Sequence, residues 1–121
     1  MSTTNSCDII RVEKGWGYEK WVVNGPEYCG KVLYFDKGKK CSWHYHILKD
    51  ETFYIEAGKV QLTYGDTDDI AAAQTIILNR GDKFHVYRGL RHQVLALENT
   101  RLYEFSTQHF DSDSHRVIAG D

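Results

Sequence analysis

GKKCSWHYHILKDETFYIEAG, residues 38–58, decides how this chain is read. Trp, Tyr, Phe, Ile and Thr crowd both halves of the stretch and the polar run ILKD divides them, so it reads as two short strands joined by a turn. Alternate residues of a strand share a face, which puts His44 and His46 together and turns Trp43 and Tyr45 the other way. Cys41 falls on the Trp43 side if the strand begins there. Glu51 opens the next strand, where an antiparallel return brings its carboxylate back beside the imidazoles. Neutral imidazoles with a carboxylate suit one divalent ion of Fe, Mn, Ni, Co or Zn, and such an ion offsets the cost of gathering polar groups inside a fold. Taken singly, each histidine reads as an exposed or structural strand residue. It is the grouping of His44, His46 and Glu51 that points to a metal.

The rest of the chain repeats the pattern of short apolar and aromatic stretches broken by glycine or polar clusters. GYEKWVV, KVLYFD, KVQLTYG, TIILN, KFHVY, HQVLALE and RLYEFST all read as strands, which makes about nine with the two above. Only TDDIAAAQ, residues 67–74, is helix-like, and it is short enough to predict a loop or a single helical turn. Many strands without a crossover helix imply an all-β sandwich or closed antiparallel barrel. The tail DSDSHRVIAGD is polar and is expected either to fray or to pack back over an opening.

At 121 residues with 41% apolar and 26% charged residues, the chain is sized and composed for one globular domain. Residues 1–8 are expected to be a flexible terminus and 9–121 a single domain. A formal net charge of −2 with scattered basic residues gives no footprint for nucleic acid. No apolar run approaches the roughly 18 residues of a membrane span, and the N-terminus lacks a signal-peptide layout, so a cytoplasmic setting is expected. Cys7, Cys29 and Cys41 are odd in number and unrelated in spacing, which predicts free thiols rather than a disulfide framework or a zinc site. An exposed edge at the N-terminal strand is a liability that a second copy commonly covers, so a homodimer is expected.

A second polar stretch, GDKFHVYRGLRHQVLALEN from Gly81, offers His92 after a turn containing Gly89. Together the two stretches resemble the cupin motifs. The first motif, G-x5-H-x-H-x4-E-x6-G, is met at Gly38, His44, His46, Glu51 and Gly58. The second, G-x5-P-x-G-x2-H-x3-N, is met at Gly81, Gly89 and His92, with Tyr87 in place of its proline and Ala96 in place of its asparagine. The resemblance implies a small jelly-roll barrel, or double-stranded β-helix, with His44, His46, Glu51 and His92 binding one divalent transition metal. His85, His109 and His115 match no ligand position and read as surface or supporting residues.

Among cupins, the flanks resemble the C-terminal domain of type II mannose-6-phosphate isomerases. VEKGWGYEKWVV resembles its opening stretch, Lys31 sits where that domain carries a lysine, and Lys49 replaces an arginine. LYEFSTQHFDSDSHRV resembles its closing stretch at Glu104, Asp113 and Arg116. The domain usually has glutamine at the position of His44, and no counterpart of its terminal Tyr-Gly-Arg or of a nucleotidyltransferase domain is expected within these 121 residues. The resemblance implies an isomerase or epimerase of a sugar or sugar phosphate, with Lys31 and Glu104 as catalytic candidates. Lys49, Arg88 and Arg91 are candidates for holding a small-molecule substrate or its phosphate. The same donor set suits an iron dioxygenase, and a barrel of this kind can also serve as a non-catalytic binding module.

Overall fold

The structure, a computed structural model, describes residues 8–121, so all of the predicted flexible terminus except Asp8, and Cys7 with it, lies outside the described residues. Among the described residues eleven strands form two antiparallel sheets. The larger holds β1 (Ile10–Lys14), β2 (Gly17–Asn24), β3 (Cys29–Phe35), β10 (Thr100–Ser106), β5 (Glu51–Ala57) and β8 (Lys83–Val86), in that spatial order. The smaller holds β11 (His115–Ile118), β4 (Trp43–Tyr45), β9 (Arg91–Ala96), β6 (Lys59–Gly65) and β7 (Gln74–Asn79). This is a jelly-roll arrangement, as the sequence implies. TDDIAAAQ contains a single 3₁₀ turn over Ile70–Ala72. Among the described residues no helix is long and apolar enough to cross a membrane.

Two of the eleven strands were not legible. β1 is exposed at four of its five positions, so it lacks the apolar alternation that marks a strand, and it exists because it pairs with β2 along its whole length. β11 lies in the polar tail and forms because β4 offers it an edge, with His115 opposite Tyr45 and Arg116 opposite His44. The tail therefore packs back. Its last residues are tied down by the Asp121 N–H donating to the Lys40 carbonyl at 2.9 Å and the Lys40 N–H donating to the Asp121 side chain at 2.8 Å.

Alternation along the central strands sorts the barrel interior into two halves. β3 sends Cys29, Lys31, Leu33 and Phe35 inward, β5 sends Glu51, Phe53 and Ile55, β9 sends His92, Val94 and Ala96, and β10 sends Thr100, Leu102 and Glu104. In β5 and β9 the polar member comes first and the apolar members follow, while β10 runs the other way and still places Glu104 opposite Lys31. One half is thus filled by Phe35, Ile55, Val60, Leu62, Val94, Ala96 and Leu102, all buried. Each large apolar side chain buried there is worth about 1.5–3 kcal/mol, enough to carry the fold. Ionisable groups are collected in the other half.

Gly58 closes the β5–β6 turn with φ +97°, and a Cβ there would stand 2.5 Å from the Asn99 carbonyl oxygen, so both backbone conformation and space require glycine. Gly89, with φ +86°, turns the chain into β9, and its N–H donates to the His46 carbonyl at 2.7 Å. Tyr87 is no hindrance in this turn: Leu90 N–H donates to its carbonyl, and its hydroxyl is held by Asp66.

Candidate metal centre

Strand register delivers the histidines. His44 on β4 lies directly opposite His92 on β9, and His46 follows two residues later on the same face. Trp43 and Tyr45 face the other way: Trp43 is fully buried with its Nε1 donating to the Asp68 carbonyl, and Tyr45 stacks between His115 and the Arg91 guanidinium. Cys41 does not share their side. β4 begins only at Trp43, so strand parity does not extend back to Cys41, which lies in the core and lines the cavity. Burial pushes its thiol up to about 12, leaving it protonated and inert.

All three imidazoles are oriented by the backbone. The Nδ1 of His44 meets the Ser42 carbonyl at 2.8 Å, that of His46 the Asp113 carbonyl at 3.1 Å, and that of His92 the Leu90 carbonyl at 2.9 Å. A carbonyl only accepts, so each Nδ1 carries the proton and each Nε2 is left with a lone pair. The ligand atoms of the three rings lie within 4.8 Å of one another. Glu51 Oε2 stands 3.4 Å from His46 Nε2 and 3.5 Å from His92 Nε2.

Two of these atoms, Glu51 Oε2 and His92 Nε2, are buried without a hydrogen-bond partner. Lone pairs facing one another in a dry interior repel, and an orphaned buried acceptor costs about 1–3 kcal/mol. A cation removes both penalties. Two ligands each about 2.1 Å from a common ion stand about 3.0–3.5 Å apart at bond angles near 90–110°, which matches the carboxylate–imidazole separations. The three histidines therefore fit a divalent transition metal, and Glu51 Oε2 stands beside two of them as the candidate for a fourth donor. Burial holds His44 down to about 4 and His46 and His92 well below the usual histidine range, keeping all three neutral as ligands must be.

Beside the donors sits a buried charge cluster. Lys49 Nζ is 3.0 Å from Glu104 Oε2 and 3.5 Å from Glu51 Oε1, and Lys31, opposite Glu104 in the β3–β10 register, is 3.5 Å from Glu19. Burial alone would raise Glu104, but Lys49 and Lys31 outweigh it and hold the carboxyl down to about 2. Burial likewise works against the Lys49 ammonium, and Glu51 and Glu104 outweigh it to keep that group charged. Without a metal Glu51 goes the opposite way from Glu104: burial and the neighbouring Glu104 raise it well above the carboxylate range. Lys31 also lies over the Trp21 ring at 4.4 Å from its centroid, and Trp21 Nε1 donates to Glu19.

Residues 31–105 match the family of the cupin domain. The chain belongs to the cupin family. Solved cupin-like structures superpose on most of it. The capsular polysaccharide assembling protein CapF from Staphylococcus aureus aligns with a TM-score of 0.80 at 16% identity, covering 94% of this chain and 34% of that one. KdgF from Halomonas sp. aligns with a TM-score of 0.71 at 21% identity, covering 87% of this chain and 89% of that one. Oxalate decarboxylase from Bacillus subtilis, described as carrying Mn(II) centres, aligns with a TM-score of 0.78 at 17% identity, covering 96% of this chain and 33% of that one. The chain spans about a third of the length of CapF and of the decarboxylase. At these identities the likeness is one of fold. No curated protein matches the sequence.

In this cupin the donors and the charge cluster line one cavity of about 560 Å³, within the range of small-molecule sites. Lys31, Lys49 and Glu104 all face it. Arg88 and Arg91 do not. Arg91 precedes His92 by one residue on β9, so its side chain leaves by the outer face, where its Nε donates to Asp68 at 2.9 Å. Arg88 Nε donates to the Leu48 carbonyl. Both arginines, expected from the sequence to hold substrate near the mouth, have their partners outside the cavity lining.

Two residues without a functional reading in the sequence prove central. His109 lines the cavity and accepts from Lys49 Nζ at 3.1 Å through Nδ1, so its Nε2–H donates to Asp111 at 2.9 Å. Asp113, quoted above only as part of a resemblance, is buried, and its carboxylate accepts from the N–H groups of Ile47, Leu48 and Lys49 at 2.9–3.2 Å. Its carbonyl holds His46. Asp113 therefore fixes the turn that separates His46 from Lys49 and Glu51. The signal for it was in the tail, but nothing in the spacing says that β11 returns to β4.

Proposed function

We propose that this cupin is a metal-dependent isomerase or epimerase of a sugar or sugar derivative. The observation that carries the reading is Glu104, a buried carboxylate kept ionised by Lys49 and Lys31 in the same cavity as the metal donors. Moving a carbonyl along a sugar requires a base for the proton on the adjacent carbon and an electrophile at the carbonyl oxygen. A bound divalent ion supplies Lewis acidity for that oxygen. Glu104 takes the proton, and Lys49, in contact with both Glu104 and Glu51, balances the charge as it moves. Lys31 donates to the substrate oxygen nearest β3. Apolar walls at Trp16, Phe35 and Phe53 exclude water from one side of the substrate.

The flanking likeness to type II mannose-6-phosphate isomerases supports a sugar as substrate, as does the likeness in fold to a capsular polysaccharide assembling protein. The test is proton NMR in D2O of a panel of aldoses, ketoses and their phosphates with Mn(II)-, Zn(II)- or Co(II)-loaded protein. Incorporation of deuterium next to the carbonyl, lost in Glu104→Gln with metal content retained, supports the reading. Thermal stabilisation by a sugar without exchange or turnover would reduce the cavity to a binding role. A second reading, an iron dioxygenase, is favoured by the three-histidine and one-glutamate donor set, and oxygen uptake by the Fe(II)-loaded protein separates the two. The outermost position of β1 and its exposed face support a homodimer, which sedimentation at increasing concentration tests.

A further inference from the structure

Every cation in the cavity interior is already matched by the fold. Lys31 is held by Glu19, and Lys49 by Glu104 and Glu51. The mouth differs. Arg116, on β11 opposite His44, and Lys14, at the end of β1, both line the cavity, and neither takes part in an ion pair among the described residues. The side-chain carboxylates at this rim are committed elsewhere: Glu13 to Arg11, Asp111 to His109, and Asp121 to the Lys40 N–H. Arg116 is also the one arginine in the cavity lining, since Arg88 and Arg91 are spent on Leu48 and Asp68.

A guanidinium presents a planar fork of N–H donors that fits two oxygens of a carboxylate or phosphoryl group, and it stays charged at any working pH. With a divalent ion bound, its charge together with those of Lys31, Lys49, Glu19, Glu51 and Glu104 would sum to one net positive charge, so the interior would not repel an anion. We propose that Arg116 receives an oxyanion group of the substrate, and that the ligand class of this cavity is a monosaccharide-sized oxyanion. The inference rests on the sugar reading above and narrows it: one end of the ligand lies at the metal and the other, carrying the charge, at β11. The tail strand is then part of the binding site rather than a cover.

Calorimetric titration of the Mn(II)-loaded full chain with mannose, mannose 6-phosphate and mannuronate tests this without reading turnover. At least one anionic ligand is expected to bind about tenfold or more tightly than mannose. Arg116→Gln should abolish that preference with metal content unchanged, while Arg80→Gln, in the exposed β7–β8 turn, should keep it. Which anion is preferred tells carboxylate from phosphoryl, and either supports the assignment. Equal affinity for the three, no binding by any of them, or a preference that survives in Arg116→Gln overturns it. Tight binding of an anion without isomerisation would sink the isomerase reading and leave Arg116 in its role.

Discussion

Replacing Asp113 by alanine removes the one side chain that accepts from three successive backbone N–H groups, at Ile47, Leu48 and Lys49. Hydrogen bonds to a charged acceptor contribute about 1.5–3 kcal/mol each, but Ile47 and Leu48 are exposed, so water replaces most of what their N–H groups lose. The N–H of Lys49 is buried and is left without a partner. The net loss is then about 3 kcal/mol, which at a urea dependence of roughly 1.5 kcal/mol per molar lowers the unfolding midpoint by about 2 M. The turn it frees spaces His46 from Glu51, and loss of a partner that orients a ligand lowers metal affinity by about 10- to 100-fold. Urea unfolding of chelator-treated protein reads the first effect, and competition titration with a metal indicator reads the second. A substituted protein that keeps both its midpoint and its metal affinity would refute the claim that the tail holds the site together.

His46→Ala should release the ion, measured as metal per chain after purification without chelators; unchanged content would count against the donor set. Glu104→Gln leaves Lys49 and Lys31 short of a buried anion and should cost about 3–5 kcal/mol in denaturant unfolding, while metal stays bound because Glu104 is not a donor. In metal-free protein, buried His44 titrates at about 4 against an ordinary value of 6.5, so the unfolded chain binds more protons between those values and stability should fall as pH drops from about 6.5 towards 4. His46 and His92 shift in the same direction and deepen the loss, while Glu51, raised in the metal-free fold, opposes it as one group against three; thermal unfolding across that range that shows no decline would contradict the neutral-ring assignment.

How much could be read from the sequence depended on how local the determining interaction is. His44, His46 and Glu51 were legible because period-two alternation and one short turn place them without reference to the rest of the chain. The nine other strands were legible for the same reason, each carrying its own run of apolar and aromatic residues. β1 and β11 carry none and depend on a neighbour for their existence, so a pattern based on burial passes over them. Strand parity also failed at Cys41, because parity holds only within a continuous strand and β4 starts two residues later. The roles of Asp113 and His109 depend on contacts spanning more than sixty residues in one case and sixty in the other, between segments with no patterned relation. Strand parity does account for Arg91, which directly precedes His92 on β9 and pairs with Asp68, whereas Arg88 lies in the turn before the strand and its contact with the Leu48 carbonyl has no signal in the spacing.

The division of the barrel interior has a bearing on how such a protein can change over time. Because Ile55, Val60, Leu62 and Leu102 secure the architecture from one end, substitutions among the ionisable residues at the other end draw on a separate reserve of stability. A lineage can therefore exchange ligands, metal or reaction in one compartment while the opposite compartment keeps the chain folded throughout the transition.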